Sequence, residues 1–459
     1  MKVSIRTYVT NGQKYLLSYP FVVHSLVVVF GLSAWIGVNG IFVQLPLLVL
    51  SAPEKWDLAA YVVVIIQAAN IGPIVYTIAK KCCNLVNEAI CISVLLFMGT
   101  LAMGFLAFYY NQTLHIGNSR YSVAMFICVF LTALVGCTSS VLFMPYLRNS
   151  NEKYLVSYFI GEGLSGVVPS VIALFQGVGG NAECRDYKNG TVVEITADPR
   201  FPPKDYFIIL FVILLTSFCT FGLLRYLPSI KKEVTKPVDT NELERQEKIE
   251  GQCNFSMEFK DSNFPDNVRI KSSSIVQSSG CVDKEEMNLC RTIYLHVLLS
   301  FICFLGNGFL PGIQTYSCLP YGNVAFHLTV TLANIANPVA CLFSLFYDSV
   351  QMKILDLLSV VGMLATAYAI YSAAASPTPP LQNSVIGVAI IVSVWIILTG
   401  IISYLKLSIT SKIRQKLGPK ALIDAGIVMQ SGSACGAVLS FVLISFTTSF
   451  QQHRSCILL

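Results

Sequence analysis

Eleven stretches of this chain are each long and apolar enough to form a helix that crosses a lipid bilayer. A helix needs roughly 20 mostly apolar residues to cross the bilayer core. Only 12% of the 459 residues are charged, whereas soluble proteins average about 25%. We therefore predict an all-α polytopic membrane protein. The predicted spans are 22–48, 57–79, 89–110, 121–147, 154–178, 204–227, 291–315, 322–347, 351–373, 384–406 and 420–448.

One segment, residues 228–290, carries 21 of the 56 charged side chains of the chain. It is also rich in serine and poor in aromatic residues, a composition typical of disordered chain. We predict that this segment is a disordered cytoplasmic linker. It separates an N-terminal bundle of six spans (residues 1–227) from a C-terminal bundle of five spans (residues 291–459).

The basic residues of the short loops predict how the chain is oriented in the membrane. If the spans alternate in direction, one side of the membrane receives Lys2, Arg6, Lys14, Lys80, Lys81, Arg148, Lys153, Lys353, Lys406, Lys412, Arg414, Lys416 and Lys420. An excess of lysine and arginine marks the cytoplasmic side. We therefore expect a cytoplasmic N-terminus and an extracellular C-terminus. The glycosylation sequons at Asn111 and Asn189 both fall on the outer side, where glycans are added.

The two halves of the chain carry matching polar motifs. Span 1 contains "VNGIFVQLP" with Asn39, and span 7 contains "LGNGFLPGIQTY" with Asn307. Span 2 contains "AANIGP" with Asn70, and span 8 contains "LANIANP" with Asn334. Spans 1 and 7 start on the same side, so the repeat is parallel, as in major-facilitator transporters. We predict a 6+5 pseudo-repeat of the major-facilitator or equilibrative-nucleoside-transporter type.

The polar residues within the spans are the candidates for a substrate site. An unpaired amide in hydrocarbon is costly, so each must bond another helix, a kinked backbone or a ligand in a cavity. Bonding between helices is the simplest explanation for any single amide. Their concentration in spans 1, 2, 7 and 8 favours a cavity. The predicted cavity residues are Trp35, Asn39, Asn70, Phe143, Glu162, Asn307, Gln314 and Asn334.

Glu162, in "GEGLSG", is the carboxylate placed deepest in the predicted spans. A carboxylate within the membrane is by default a functional candidate. Three roles stay open for it: contact with substrate, carriage of a proton, or a hydrogen bond between helices. The sequence shows no metal-binding constellation, nucleophile–base pair or phosphate loop, so we do not expect an enzyme, a metal site or a cofactor.

Several long motifs resemble the eukaryotic riboflavin transporters. They are "WIGVNGIFVQLP" (35–46), "PEKWDLAAYV" (53–62), "FMPY" (143–146), "GEGLSGVVPSVIALFQG" (161–177) and "NGFLPGIQTYSCLPYG" (307–322). The resemblance implies eleven spans and facilitated, sodium-independent uptake of riboflavin across the plasma membrane. It also implies that a small molecule and the lipid bilayer, not a nucleic acid, are the partners. The chain departs from the pattern that the resemblance implies at Gln44, where many members of the family are expected to carry glutamate.

Two other readings of the sequence stay open. The first keeps transport but changes the substrate to a nucleoside or another neutral vitamin. The second is a receptor that binds an external ligand without moving it across the membrane. The span count argues against a seven-helix receptor, and the internal repeat favours transport. The sequence carries no signal for an oligomeric state.

Overall fold

The computed structural model describes residues 19–82, 87–148, 153–181, 183–186, 192–195, 197–226, 289–345, 351–417 and 421–452. Nearly all of the predicted linker 228–290 lies outside these residues, as does the sequon at Asn189. The disorder of that linker and the glycosylation of Asn189 stay predictions.

Helices occupy all eleven predicted spans. Among the described residues, ten helices are long and apolar enough to cross a membrane, and the bent helix pair of span 1 makes the eleventh. The eleven-span prediction is confirmed. Spans 3 to 6 and 8 to 11 are Glu88–Tyr109, Val123–Arg148, Lys153–Gln176, Pro203–Tyr226, Asn323–Leu345, Met352–Ala374, Val385–Leu417 and Ala421–Phe446.

Span 1 is bent by 51° between its helices Tyr19–Leu32 and Ile36–Ser51. The bend falls on a short turn that ends at Trp35, the residue that caps the second helix. The sequence predicted irregularity within "WIGVNGIFVQLP", and the break lies at the first residue of that motif. The second helix continues through Pro46 without a break.

Spans 2 and 7 are also interrupted. Span 2 consists of a 3-10 turn and two helices, Lys55–Asp57, Leu58–Ala68 and Ile71–Cys82. Span 7 has a π-helical turn at its centre, and its four parts are Leu289–Cys303, Phe304–Phe309, Leu310–Cys318 and the 3-10 turn Leu319–Tyr321. A π-turn inside a helix is often found at a functional site. Spans 1, 2 and 7 each carry one of the asparagine motifs.

Two short antiparallel hairpins lie in the loops after spans 3 and 5. Strands Leu114–Ile116 and Ser119–Tyr121 form the first, and strands Glu183–Asp186 and Val192–Ile195 form the second. The turn of the first hairpin uses Gly117 at φ +61°, a conformation that suits glycine. Asn111 lies exposed just before this hairpin.

The apolar core is continuous at one end of the bundle and divided at the other. A large cluster joins the two halves and includes Leu48 and Trp56 of the first half and Tyr316 and Phe326 of the second. Towards the lysine-bearing ends of the spans, a second cluster contains only residues of spans 1 to 6, and a third contains only residues of spans 7 to 11. The halves therefore pack together at the end that bears the hairpins, which we call the outer end. They separate towards the opposite, inner end.

Glycines permit close crossings between equivalent pairs of spans, 1 with 5 and 7 with 11. A Cβ added to Gly161 of span 5 would lie 2.1 Å from the backbone oxygen of Val28 in span 1. A Cβ added to Gly308 of span 7 would lie 2.4 Å from the backbone oxygen of Ser433 in span 11. Small residues at such crossings let the backbones of membrane helices approach one another.

We expect Gly308→Ala to destabilise the protein because its methyl group would force spans 7 and 11 apart. The loss should be about 1–3 kcal/mol, the usual cost of overpacking. Gly426→Ala is the matched control, because an added Cβ at Gly426 in span 11 meets nothing within 4 Å. Thermal denaturation monitored by size-exclusion chromatography compares the two. Equal midpoints for the two variants would contradict the close crossing.

Candidate functional site

A cavity of about 1610 Å³ lies between the two halves, below the shared outer cluster. Spans 1, 2, 4 and 5 of the first half contribute to its wall, as do spans 7 to 11 of the second half. It extends to the inner ends of spans 7, 9 and 10, where Arg291, Lys353 and Lys412 line it. The cavity is therefore placed where the two inner apolar clusters are divided.

The structure brings together seven of the eight residues that the sequence predicted for a cavity. They come from both halves and are Trp35, Asn39, Asn70, Glu162, Asn307, Gln314 and Asn334. The eighth, Phe143, does not line the cavity. Its side chain is fully buried, and its ring lies 4.9 Å from that of Phe30, centroid to centroid. Phe143 belongs to the buried apolar cluster of spans 1 to 6, and its environment is that of a packing residue.

Asn39 of span 1 faces span 5 within the first half. Its Nδ2 lies 3.4 Å from Oγ of Ser165, a long hydrogen bond. The Ser165 hydroxyl in turn donates to the backbone oxygen of Glu162 at 2.6 Å. The added Cβ of Gly166 would lie 3.7 Å from the same asparagine amide, so the glycine leaves room for it. Asn39 is thus held by one weak bond and lines the cavity.

The second half repeats this pair. Asn307 Nδ2 donates to Oγ of Ser433 in span 11 at 3.2 Å. Both asparagine–serine pairs are separated by 126 residues in the chain. Asn307 follows Asn39 by 268 residues, and Ser433 follows Ser165 by the same number. The repeat that the sequence indicated from short motifs is therefore also a repeat of side-chain contacts.

The same spacing relates Glu162 to Gln430, and both line the cavity. Trp35 of span 1 and Lys406 of span 10 line the same cavity as Glu162. Glu162 is the only acidic side chain in the cavity wall among the described residues. The two halves thus present a carboxylate and an amide at equivalent places.

Gln67 links the two halves at the top of the cavity. Its Nε2 donates to the backbone oxygen of Asn307 at 3.3 Å, and its Oε1 accepts from Nδ2 of Asn70 at 3.0 Å. Pro311 lacks the N–H that would bond the Asn307 oxygen in a regular α-helix, so this oxygen can accept from Gln67. Asn334 and Pro338 repeat the same four-residue spacing in span 8.

The remaining predicted residues are anchored locally. Asn334 Nδ2 donates to the oxygen of Val330 in its own helix at 3.1 Å. Gln314 is 7% exposed and lies on the short helix that follows the π-turn.

Gln44 does not line the cavity. It is 1% exposed, and its Nε2 donates to Oε1 of Gln176 at 2.6 Å.

Sequence reasoning missed Gln67, Gln430 and Ser165. Gln67 lies three residues before Asn70 on the same span, so the helical repeat could have placed both on one face. Gln430 and Ser165 could have been found by applying the 268-residue spacing to span 5. No group of three or more metal-ligating side chains occurs in the parts of the chain that the structure describes.

Comparison with known proteins identifies the family. Residues 19–452 match the model of solute carrier family 52, riboflavin transporter. The chain belongs to this family. A relative from Danio rerio, solute carrier family 52, riboflavin transporter, member 3-A, is 35% identical over 452 residues, which cover 95% of this chain and 98% of the relative. Member 3 from Homo sapiens is 32% identical over 475 residues and covers 95% and 98% of the two chains.

Solved structures show the fold. A D-xylose–proton symporter superposes with a TM-score of 0.55 and 12% identity, over 93% of this chain and 90% of that one. A bacterial homologue of the human lysosomal transporter Spinster superposes with a TM-score of 0.52 and 12% identity, over 94% and 82% of the chains. The predicted major-facilitator-like fold is confirmed. The family is one of transporters, which agrees with the prediction that the chain is not an enzyme.

We expect the Gln67–Asn70 bond to appear as non-additivity in a double-mutant cycle. Gln67→Ala and Asn70→Ala each break the amide chain, so the double variant should lose less stability than the sum of the two. A coupling of about 0.5–3 kcal/mol is typical of residues in one network. Thermal denaturation of the purified protein measures it. The control pairs Gln67→Ala with Thr77→Ala, since the Thr77 hydroxyl bonds only within its own helix. Additive losses for both pairs would contradict the network.

Proposed function

We propose that this protein transports riboflavin across the plasma membrane by alternating access between its two halves, without sodium and without a cofactor. The observation that carries the proposal is a cavity between pseudo-symmetric halves, with Trp35 and paired asparagines in its wall. Membership of the riboflavin transporter family supports this choice of substrate.

The chemistry of the cavity wall suits riboflavin. The substrate has a flat ring with polar edges and a neutral chain of hydroxyl groups. Trp35 offers a flat face for stacking, and the amides of Asn39 and Asn307 offer donors and acceptors from opposite halves. Ligand pockets commonly measure about 300–1000 Å³, so a cavity of about 1610 Å³ leaves room for water around the bound substrate.

The lysine-bearing inner end is proposed to face the cytoplasm, which would place the N-terminus inside and the C-terminus outside. The described state would then be open to the cytoplasm and closed to the exterior. At the outer end, the Tyr316 hydroxyl donates to the carboxylate of Asp57, and Trp56 packs against the Tyr316 ring at 5.5 Å. Tyr61 and Phe441 join the halves at 5.0 Å. These contacts must separate when the cavity opens outward.

The remaining assignments follow from this orientation. Residues 1–227 and 291–459 would be the two moving bundles, and residues 228–290 would tether them in the cytoplasm. Asn111 would be accessible for glycosylation in its exposed loop at the outer end, and Asn189 would lie on the same side.

Uptake measurements test the proposal. Cells expressing the chain should accumulate labelled riboflavin above background, independently of sodium, and unlabelled riboflavin should compete. A purine nucleoside also has a flat ring and a polyol, so nucleosides serve as the second competitor. Nucleoside uptake that riboflavin does not inhibit would favour the alternative substrate. Absence of any uptake from a protein that reaches the surface would contradict the transport function.

Asn39→Ala should lower riboflavin uptake while the protein still reaches the cell surface. The weak bond to Ser165 contributes little to stability, whereas loss of an amide from the cavity should reduce transport about tenfold, the effect of one hydrogen bond of ~1.4 kcal/mol. Surface biotinylation normalises uptake to the amount of protein at the cell surface. Ser165→Ala removes the hydrogen bond but keeps the Asn39 amide, so it separates the role of the bond from that of the amide. If uptake and surface protein fell in proportion, Asn39 would have a structural role only.

A further inference from the structure

The inner part of the cavity carries far more positive than negative charge. Five basic side chains line it, against one carboxylate among the described residues. The basic residues all belong to the second half and come from spans 7, 9 and 10, whereas Glu162 belongs to the first half. They are Arg291, Lys353, Lys406, Lys412 and Lys416, and we call them the basic vestibule.

The length of span 10 brings these charges to the cavity. Its helix Val385–Leu417 has 33 residues and is therefore about 50 Å long at 1.5 Å per residue. This exceeds the bilayer core of about 30 Å, and the excess carries three of the five basic residues. Lys406, Lys412 and Arg291 are half-buried, and the other two are exposed. Lys412, Arg291 and Lys416 line the inner part of the same cavity, so like charges share one wall.

The positive-inside tendency explains lysines at this end, but not their place in a cavity wall. Lys80 belongs to the same end of the bundle, forms an ion pair with Glu88 and lies outside the cavity wall. Asp356, the acidic group near Lys412, accepts a hydrogen bond from Tyr294 at 2.7 Å.

A neutral flavin has no group that requires such a cluster. We propose that the basic vestibule is a binding site for an organic phosphate, and specifically for the phosphate monoester of the transported flavin, riboflavin 5′-phosphate. This inference rests on the proposed function. A phosphate monoester carries about −1.5 to −2 charges near neutral pH and offers three strong acceptor oxygens. Phosphorylation of the imported alcohol is the class of reaction that would supply it on the cytoplasmic side.

The path from the ring site to the vestibule is continuous. Trp35, Glu162, Cys341 of span 8 and Lys406 all line one cavity. A flavin whose ring contacts Trp35 can therefore direct its terminal phosphate towards Lys406 along one wall. The bound ester would hold the inner end open and inhibit transport from the cytoplasmic side.

Binding to the purified full-length chain tests this site. Flavin fluorescence reports both ligands, in nanodiscs of phosphatidylcholine. We expect riboflavin 5′-phosphate to bind about tenfold more tightly than riboflavin at low salt, equivalent to 1.4 kcal/mol. The advantage should shrink between about 50 mM and about 300 mM NaCl. Lys412→Gln combined with Lys416→Gln should abolish it and leave riboflavin affinity largely unchanged. Lys80→Gln is the matched control and should retain it.

The outcomes separate this inference from the proposed function. If riboflavin binds and its phosphate binds no more tightly, the vestibule inference is wrong and the transport proposal stands. If neither flavin binds, the proposed function itself fails. Loss of the advantage in Lys80→Gln would show a general surface-charge effect and overturn the site. Nanodiscs containing phosphatidylglycerol form a further arm: loss of the advantage only there would assign the lysines to lipid headgroups and also overturn it.

Discussion

An unpaired polar group in the hydrocarbon region is costly, and this cost organises the amides of the central spans. Asn39 and Asn307 each contact a serine on the span that crosses closest to their own. Asn70 donates to Gln67, and Gln67 donates to a backbone oxygen of the other half. An asparagine amide has two donor hydrogens and an acceptor oxygen. A single bond to the protein leaves hydrogen-bonding capacity for a ligand, so the same residues join helices and line the cavity.

Backbone irregularity places these amides where they are needed. Span 1 bends immediately before Trp35, and span 7 contains a π-turn that includes Asn307. Pro311 removes one helical donor, and the Asn307 oxygen accepts from Gln67 instead. The two halves reach equivalent side-chain contacts by different distortions, a bend in one and a π-turn in the other. The asparagine–serine contact is therefore repeated although the backbone around it differs between the halves.

The distribution of apolar packing determines which end is open. One cluster crosses between the halves at the outer end, whereas each half keeps its own cluster at the inner end. Motion between the halves can therefore preserve the inner clusters as rigid units. It must break the contacts around Tyr316 and Trp56 at the outer end. Rocking of two rigid bundles about a central site is the usual mechanism for this class of transporter.

Much of the fold and of the cavity wall could be predicted from the sequence because the bilayer imposes simple rules on helix length and polarity. Hydropathy placed the spans, and the short motifs around Asn39 and Asn307 indicated the repeat. The eight predicted cavity residues included seven that line the cavity. Phe143 does not line the cavity, and the sequence could not show this because an apolar residue gives no indication of which face of span 4 it occupies. The helix of span 10 continues to Leu417, beyond the predicted end at residue 406, because hydropathy detects the lipid-facing part and not the helix itself. Gln67 was missed because its partner is a backbone oxygen, which no side-chain motif marks.

The most direct test of the account is a cryo-EM structure of the full-length protein with riboflavin bound. The account predicts density for the flavin ring against Trp35, between the amides of Asn39 and Asn307 and in contact with both halves. Flavin density at any place that touches only one half, or outside the cavity altogether, would contradict the central claim.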